Sequence, residues 1–175
     1  VSHWFLGRSL GQLDVANMAS HAVGIVPLPV MFFGAAFLEE VGWKGYGMDS
    51  LRGKRTFFTA TLLYSFLWVF WHIPLFFINN YYHNTLLKTD PILAVNFIAS
   101  VIPAAFIINW LWYRNGRSII AAVLFHVTAN LQGILQMGQT AKCIETVILS
   151  IFALAIVLLD KDVFFKDFSP VNFKH

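Results

Sequence analysis

The chain has 175 residues, of which 58% are hydrophobic and 17% aromatic, while only 12% carry formal charge. A soluble domain has about 25% charged residues, and 12 basic plus 9 acidic side chains cannot coat a globule that also hides 18 Phe and 6 Trp. The composition therefore excludes a soluble enzyme, and the same apolar content excludes disorder. The net charge of +3 comes with no basic stripe dense enough for nucleic acid, so Lys and Arg beside apolar stretches read as membrane-orientation signals. A single cysteine, Cys143, forbids an internal disulfide and leaves the redox compartment open.

The chain opens on Val1, and its first twenty residues lack the shape of a signal peptide. Residues 1–20 read as an extramembrane or interfacial lead-in, with further spans expected upstream. A span needs about 20 mostly apolar residues. The first expected span runs from about Ala22 into the Glu39–Trp43 region, the second from Phe57 to Ile78, and the third from Ile92 to Trp112. The fourth covers Ser118 to Met137. The fifth, Ile144 to Leu159, is short and is expected to tilt shallowly or to thin the bilayer. Each is expected to be helical, since a backbone in lipid must satisfy its own hydrogen bonds. Pro74 and Pro103 mark expected kinks. Residues 160–175 form a tail.

Alternating connections put Lys44, Arg52, Lys54, Arg55, Arg114, Arg117, Lys161, Lys166 and Lys174 on one side, against Arg8, Lys88 and Lys142 on the other. The positive-inside rule places the first group, and the tail with it, in the cytoplasm. The fold class is thus all-α, a polytopic transmembrane bundle of about five spans, with neither an internal repeat nor a second domain.

Ionisable groups inside a span cost roughly 2.5–3.5 kcal/mol each on insertion scales and are functional suspects. They fall in three clusters. Glu39 and Glu40 precede Trp43 and Lys44, His72 follows Trp68 and Trp71 in the second span, and His126 with Asn130 occupies the fourth. At 1.5 Å per helical residue, Glu39 lies about 20 Å from Arg52, His72 about 25 Å from Arg55, and His126 about 14 Å from Arg117. All three clusters therefore sit inside the bilayer at overlapping depths. His126 and Asn130, four apart, share a helical face.

Blander readings exist for each group taken singly. An intramembrane His can bond a neighbouring carbonyl, and Glu40 with Lys44 can be a structural ion pair. Trp68, Trp71, Trp110 and Trp112 read as lipid-facing or packing aromatics. His83 lies in a polar loop and reads as solvated, and His3, His21 and His175 have no informative context. The coincidence of two Glu, two His and an Asn from three helices is what points to a site.

A carboxylate stripped of water can serve as a general base toward water. Imidazole can share the proton, and an Asn amide can donate to a developing oxyanion. Base, imidazole and amide donor together read as acyl-group hydrolysis. Zinc is the other reading, with Glu39, His72 and His126 as ligands of the right kind. No HExxH helix is present, however, and Asn130 is an unusual zinc ligand.

The motifs then become recognisable. Glu39-Glu40-Val41-Gly42-Trp43-Lys44 resembles the EExxxR motif of the CAAX-protease and bacteriocin-processing family (CPBP, or Abi) of intramembrane proteases. Trp68 to His72 is similar to that family's aromatic-xxx-His motif, and His126 to Asn130 to its HxxxN motif. The resemblance covers about residues 20–155, so that 21–159 is expected to form the protease core. It implies Glu39 as the base that activates water, assisted by His72, with His126 and Asn130 forming an oxyanion site. Glu40 would support the cation at position 44, and Trp68 would support the site as well. The family was long classed with metalloproteases, whereas a metal-free glutamate mechanism fits these residues better. One departure is Lys44 where the family usually has Arg, which removes the planar fork for bidentate carboxylate pairing.

The resemblance thus implies an endopeptidase acting on a membrane-associated or prenylated protein or peptide, with no cofactor favoured. A prokaryotic plasma membrane is the expected location. The alternative is a non-catalytic membrane protein that binds a peptide, as in bacteriocin immunity. A proton-coupled transporter is a third reading, for which no repeat architecture speaks.

Overall fold

A backbone without water must close its hydrogen bonds within its own segment, and this chain does so as helices. The computed structural model describes residues 28–53, 55–79, 81–134 and 139–166. Helix α1 (Leu28–Gly42) runs into a π-helical turn (Trp43–Gly47) and then α2 (Met48–Arg52). Helix α3 (Phe57–His72) continues as a 3₁₀ turn (Ile73–Phe77), followed by the short α4 (Tyr82–Thr89). Next come α5 (Pro91–Arg114), α6 (Ile119–Ile134), α7 (Gln139–Leu159) and the short α8 (Lys161–Phe165). No strand occurs among the described residues. The lead-in, the start of the first expected span (22–27), Lys54, Asn80, residues 135–138 and the tail beyond 166 lie outside the described residues.

Local sequence explains the helix ends. Thr56 caps α3 by accepting from the Thr59 amide at 3.2 Å, and Asp90 caps α5 by accepting from the Ile92 amide at 2.9 Å. Pro91 occupies the first turn of α5, where its missing N–H costs nothing. Gly116, at φ +62°, supplies the left-handed turn that ends α5. Pro74 does deflect the second span, since α3 passes into the 3₁₀ turn at Ile73. Pro103, by contrast, is carried within the single helix Pro91–Arg114 and does not end it. Hydroxyls inside the helices bond back to their own carbonyls, Ser65 to Leu62 and Ser100 to Phe97, each at 2.7 Å.

Among the described residues, three stretches are long and apolar enough to cross a membrane: Phe57–Phe77, Pro91–Arg114 and Thr140–Leu159. The fifth expected span is therefore corrected. At 20 residues it needs neither shallow tilt nor thinning, because the helix begins at Gln139 and carries Lys142 and Glu145 in its first turns. A reading that stops at charges trims such a helix. The described part of the first expected span has 15 residues, and the fourth contributes a shorter apolar stretch, Ile119–Asn130.

Helix α5 is the central element, packing against α3, α4, α6 and α7, while α1 packs on α6. Its buried face, including Val101, Ala105, Ile108 and Trp112, joins Tyr64 and Trp68 of α3 in one core. Helix α7 gives α5 its Ala153, Ile156 and Val157 and turns Ile144, Val147, Ile148, Ile151 and Leu158 outward. A largely apolar helix with one side packed and the other exposed fits lipid contact. The basic ends are tied together: Arg114 donates to both Asp160 oxygens at 2.6 and 2.7 Å, and Trp110 Nε1 donates to Oδ2 at 2.8 Å. Arg117 pairs with Asp49.

Candidate active site

The three clusters singled out in the sequence meet around Trp68. Glu39 and Glu40 are adjacent on α1, so their side chains leave the helix about 100° apart. Glu40 is fully buried, and Glu39 retains partial access. Glu39 Oε1 accepts a hydrogen bond from Trp68 Nε1 at 2.8 Å. Its Oε2 lies 3.9 Å from His126 Nε2, beyond direct hydrogen-bond reach but within reach through one water.

Glu40 faces the other edge of the same imidazole. His126 Nδ1 donates to Glu40 Oε1 at 2.8 Å, since a carboxylate only accepts. Glu40 Oε2 then pairs with Lys44 Nζ at 3.4 Å. Lys44 is 2% exposed. Its ammonium also donates to Asn109 Oδ1 at 2.6 Å and sits 4.0 Å over the Tyr64 ring. A buried charge survives only when paired and hydrogen-bonded, and this one has an anion, an amide and an aromatic face. The ion pair expected from the i, i+4 spacing is therefore present, in the interior and not at a surface.

Lys44 itself sits in the π-helical turn that follows the helix bearing Glu40. Such wide turns recur at functional sites. Gly47 closes this one, where an added Cβ would come 3.2 Å from the Trp43 ring.

His72 joins the group through Trp68. Its Nδ1 lies 2.6 Å from the Trp68 carbonyl, which can only accept, so Nδ1 carries the proton and Nε2 is the free nitrogen. The Trp68 ring lies 5.8 Å from that of His72 and 5.5 Å from that of His126. Trp68 is buried and packed in the core, not lipid-facing, and it also has polar partners. It bonds the first glutamate with its indole and the first histidine with its backbone. Trp110 likewise has a polar partner, and Trp112 is core, whereas Trp71 is 59% exposed as expected. Asn130 follows His126 by one helical turn, partly buried, and is bonded to none of the other site residues.

Several residues escaped the sequence reading. Asn109 is fully buried and holds Lys44. The available signal was an amide inside an apolar span, but unlike Asn130 it does not follow a histidine by one helical turn. Tyr64, also fully buried, had no signal separating it from packing aromatics. His83 is corrected outright: it is 7% exposed, not solvated. Helix α4 folds back onto α5 and the 3₁₀ turn, pinned by Asn84 Nδ2 donating to the Phe76 carbonyl at 2.8 Å. Burial, together with the neighbouring His72, pushes the His83 pKa down to about 4.

Among the described residues, no three His, Cys, Asp or Glu side chains converge as a metal-ligand group. His72 and His126 each commit Nδ1 to a hydrogen bond, to the Trp68 carbonyl and to Glu40, which leaves Nε2 of each ring available.

Residues 21–132 match the family described as type II CAAX prenyl endopeptidase, Rce1-like. The chain belongs to that family. The matched stretch includes Glu39, Glu40, Lys44, Trp68, His72, His126 and Asn130. The chain is also 38% identical over 161 residues to CAAX prenyl protease 2 of Methanococcus maripaludis, an alignment covering 91% of this chain and 59% of that relative. The chain thus spans about three fifths of the relative's length. Family membership and the apolar spans agree on an integral membrane protein.

Proposed function

We propose that this protein is an intramembrane endopeptidase that hydrolyses a peptide bond in a membrane-associated protein, with a prenylated CAAX terminus as the substrate class. The observation that carries this reading is the environment of Glu39. Trp68 fixes one carboxylate oxygen, and the other faces His126 across 3.9 Å. The family name and the relative's name supply the substrate class.

In the proposed mechanism Glu39 takes a proton from water, and the oxygen attacks the scissile carbonyl carbon. His72 assists through its free Nε2. The tetrahedral oxyanion receives hydrogen bonds from Asn130 and from His126 Nε2–H, and one such donor is worth about 3–4 kcal/mol. His126 reaches the oxyanion from its Nε2 edge while Nδ1 stays on Glu40. Lys44, held by Asn109, keeps Glu40 anionic and in place. Collapse of the intermediate breaks the C–N bond, and Glu39 returns its proton to the leaving amine.

No step is routed through a metal, because Glu39 supplies the base and the His126–Asn130 pair the donors. Zinc held through Glu39, His72 and His126 is the competing arrangement, and metal analysis of active protein separates the two. Residues 21–159 form the proposed protease core and 160–175 the cytoplasmic tail, with the basic connections facing the cytoplasm of a prokaryotic plasma membrane.

The test needs no prior choice of substrate. The gene is deleted in its host and replaced by wild type or Glu39→Gln at equal membrane levels, and protein termini are compared by mass spectrometry. New termini present only with wild type support proteolysis and name the substrate. Identical termini with both, and a phenotype that both rescue, would move the protein to a non-catalytic peptide-binding or immunity role.

A further inference from the structure

Among the described residues, His83 is the one buried imidazole that the proposed mechanism leaves unused. It lies on α4, and its ring centroid is 5.4 Å from that of His72. Aromatic rings enclose it: Phe97 at 4.4 Å, Phe76 at 5.2 Å, Tyr82 at 5.4 Å and Tyr81 at 5.5 Å. Yet neither ring nitrogen has a hydrogen-bond partner, and both are buried. A buried polar group without a partner is rare and calls for a specific explanation.

Packing alone does not supply one. A Phe would fill the same cage without leaving a donor and an acceptor unsatisfied, and such a swap is ordinarily neutral or stabilising. The backbone around His83 is also anchored in ways that the imidazole does not need. Asn84 is tied to Phe76, and Tyr82 OH accepts from Lys142 Nζ at 2.9 Å. The segment therefore presents an imidazole beside His72 at the cost of two unmet hydrogen bonds. The half-exposed Tyr81 ring lies almost parallel over the imidazole, at 9°, and is its outer cover.

We infer that His83 is a substrate-contacting residue: when a peptide lies across His72 and displaces Tyr81, the His83 imidazole hydrogen-bonds the peptide backbone next to the scissile bond. A neutral imidazole offers one N–H and one lone pair, which matches the C=O and N–H of an amide. His83 then stays neutral throughout and takes no part in proton transfer, so it contributes to binding and not to the chemical step. This inference rests on the endopeptidase reading above.

The test uses full-length protein in detergent and a fluorescent farnesylated CAAX peptide, with His83→Phe and His83→Gln as variants. Losing one or two neutral hydrogen bonds predicts that His83→Phe raises KM about fivefold to tenfold while kcat stays within twofold. His83→Gln, which keeps a donor and an acceptor, should recover part of that loss. The same weakening should appear in the Kd of the intact peptide for Glu39→Gln carrying His83→Phe, where no cleavage intervenes. An unchanged KM and Kd in His83→Phe would overturn the inference, as would a loss confined to kcat. A wild-type protein that binds and cleaves no peptide would instead count against the endopeptidase reading itself. Thermal melts of each variant identify any that fails to fold, in which case His83→Gln alone decides through its Kd.

Discussion

Removing the charge of Lys44 tests whether the site is built on a buried ion pair. Lys44→Met nearly preserves volume but deletes the 2.6 Å bond to Asn109, the 3.4 Å pairing with Glu40 and the 4.0 Å contact with Tyr64. The Glu40 carboxylate is fully buried and would keep only His126 as a partner. Breaking a buried pair by removing one member costs about 3–5 kcal/mol, mostly because the survivor is stranded. The double variant Lys44→Met/Glu40→Gln strands no charge and should regain about 1–3 kcal/mol of that loss. Unfolding by SDS titration in mixed micelles, followed by circular dichroism, measures wild type, Lys44→Met, Glu40→Gln and the double variant. A Lys44→Met cost below about 1 kcal/mol, or a double variant worse than the sum of its singles, would show that the pair is not what holds Glu40.

Three further outcomes are expected. Trp68→Phe keeps the ring but removes the N–H that fixes Glu39. A hydrogen bond to a charged group is worth about 1.5–3 kcal/mol, so kcat should fall roughly tenfold to hundredfold with KM little changed; an unchanged kcat in steady-state peptide assays would refute it. At the basic end, burial raises the Asp160 pKa, but hydrogen bonds from Arg114 and Trp110 and the Arg114 charge outweigh it and hold the carboxyl below its usual range. The stability contributed by that lowered pKa is present above the unfolded value near 4 and lost as pH falls through the folded one. Asp160→Asn should therefore lower Tm at pH 7 and converge on wild type under acid conditions. His83 behaves in the same sense from a different cause: its pKa is held at about 4, against an unfolded value of about 6.5. Acidification from pH 6.5 toward 4 should destabilise wild type through this group, and His83→Phe should show a shallower pH dependence of Tm.

What was legible in the sequence follows from what costs free energy in a membrane. Glu39, Glu40, His72 and His126 stood out because an ionisable group in lipid is expensive, and the structure gathers all four around Trp68. The helical architecture was legible for a related reason, since apolar runs such as Pro91–Arg114 have few other options. Neutral polar groups carry a weaker penalty, so Asn109, which holds Lys44, passed unnoticed within the third span. Trp68, legible only through its place in the family motif, illustrates a second limit. An indole is apolar by composition, and its single N–H matters only once α1 brings Glu39 beside it. His83 illustrates a third. Its neighbours Asn79, Asn80, Tyr81 and Tyr82 read as a solvated loop, but α4 lands on α5 after the 3₁₀ turn that contains Pro74. That return is a property of packing between segments, not of the local sequence.

The most direct test of the central claim is the single-turnover cleavage rate of Glu39→Gln in reconstituted membranes, compared with wild type at matched insertion and matched Tm. Gln preserves size and can still accept from Trp68 Nε1, but it cannot take a proton from water. Loss of a general base predicts a fall in rate of at least about 10²–10⁴-fold with peptide affinity retained. A Glu39→Gln protein that cleaves the farnesylated peptide at the wild-type rate would contradict the assignment of Glu39 as the base and the mechanism built on it.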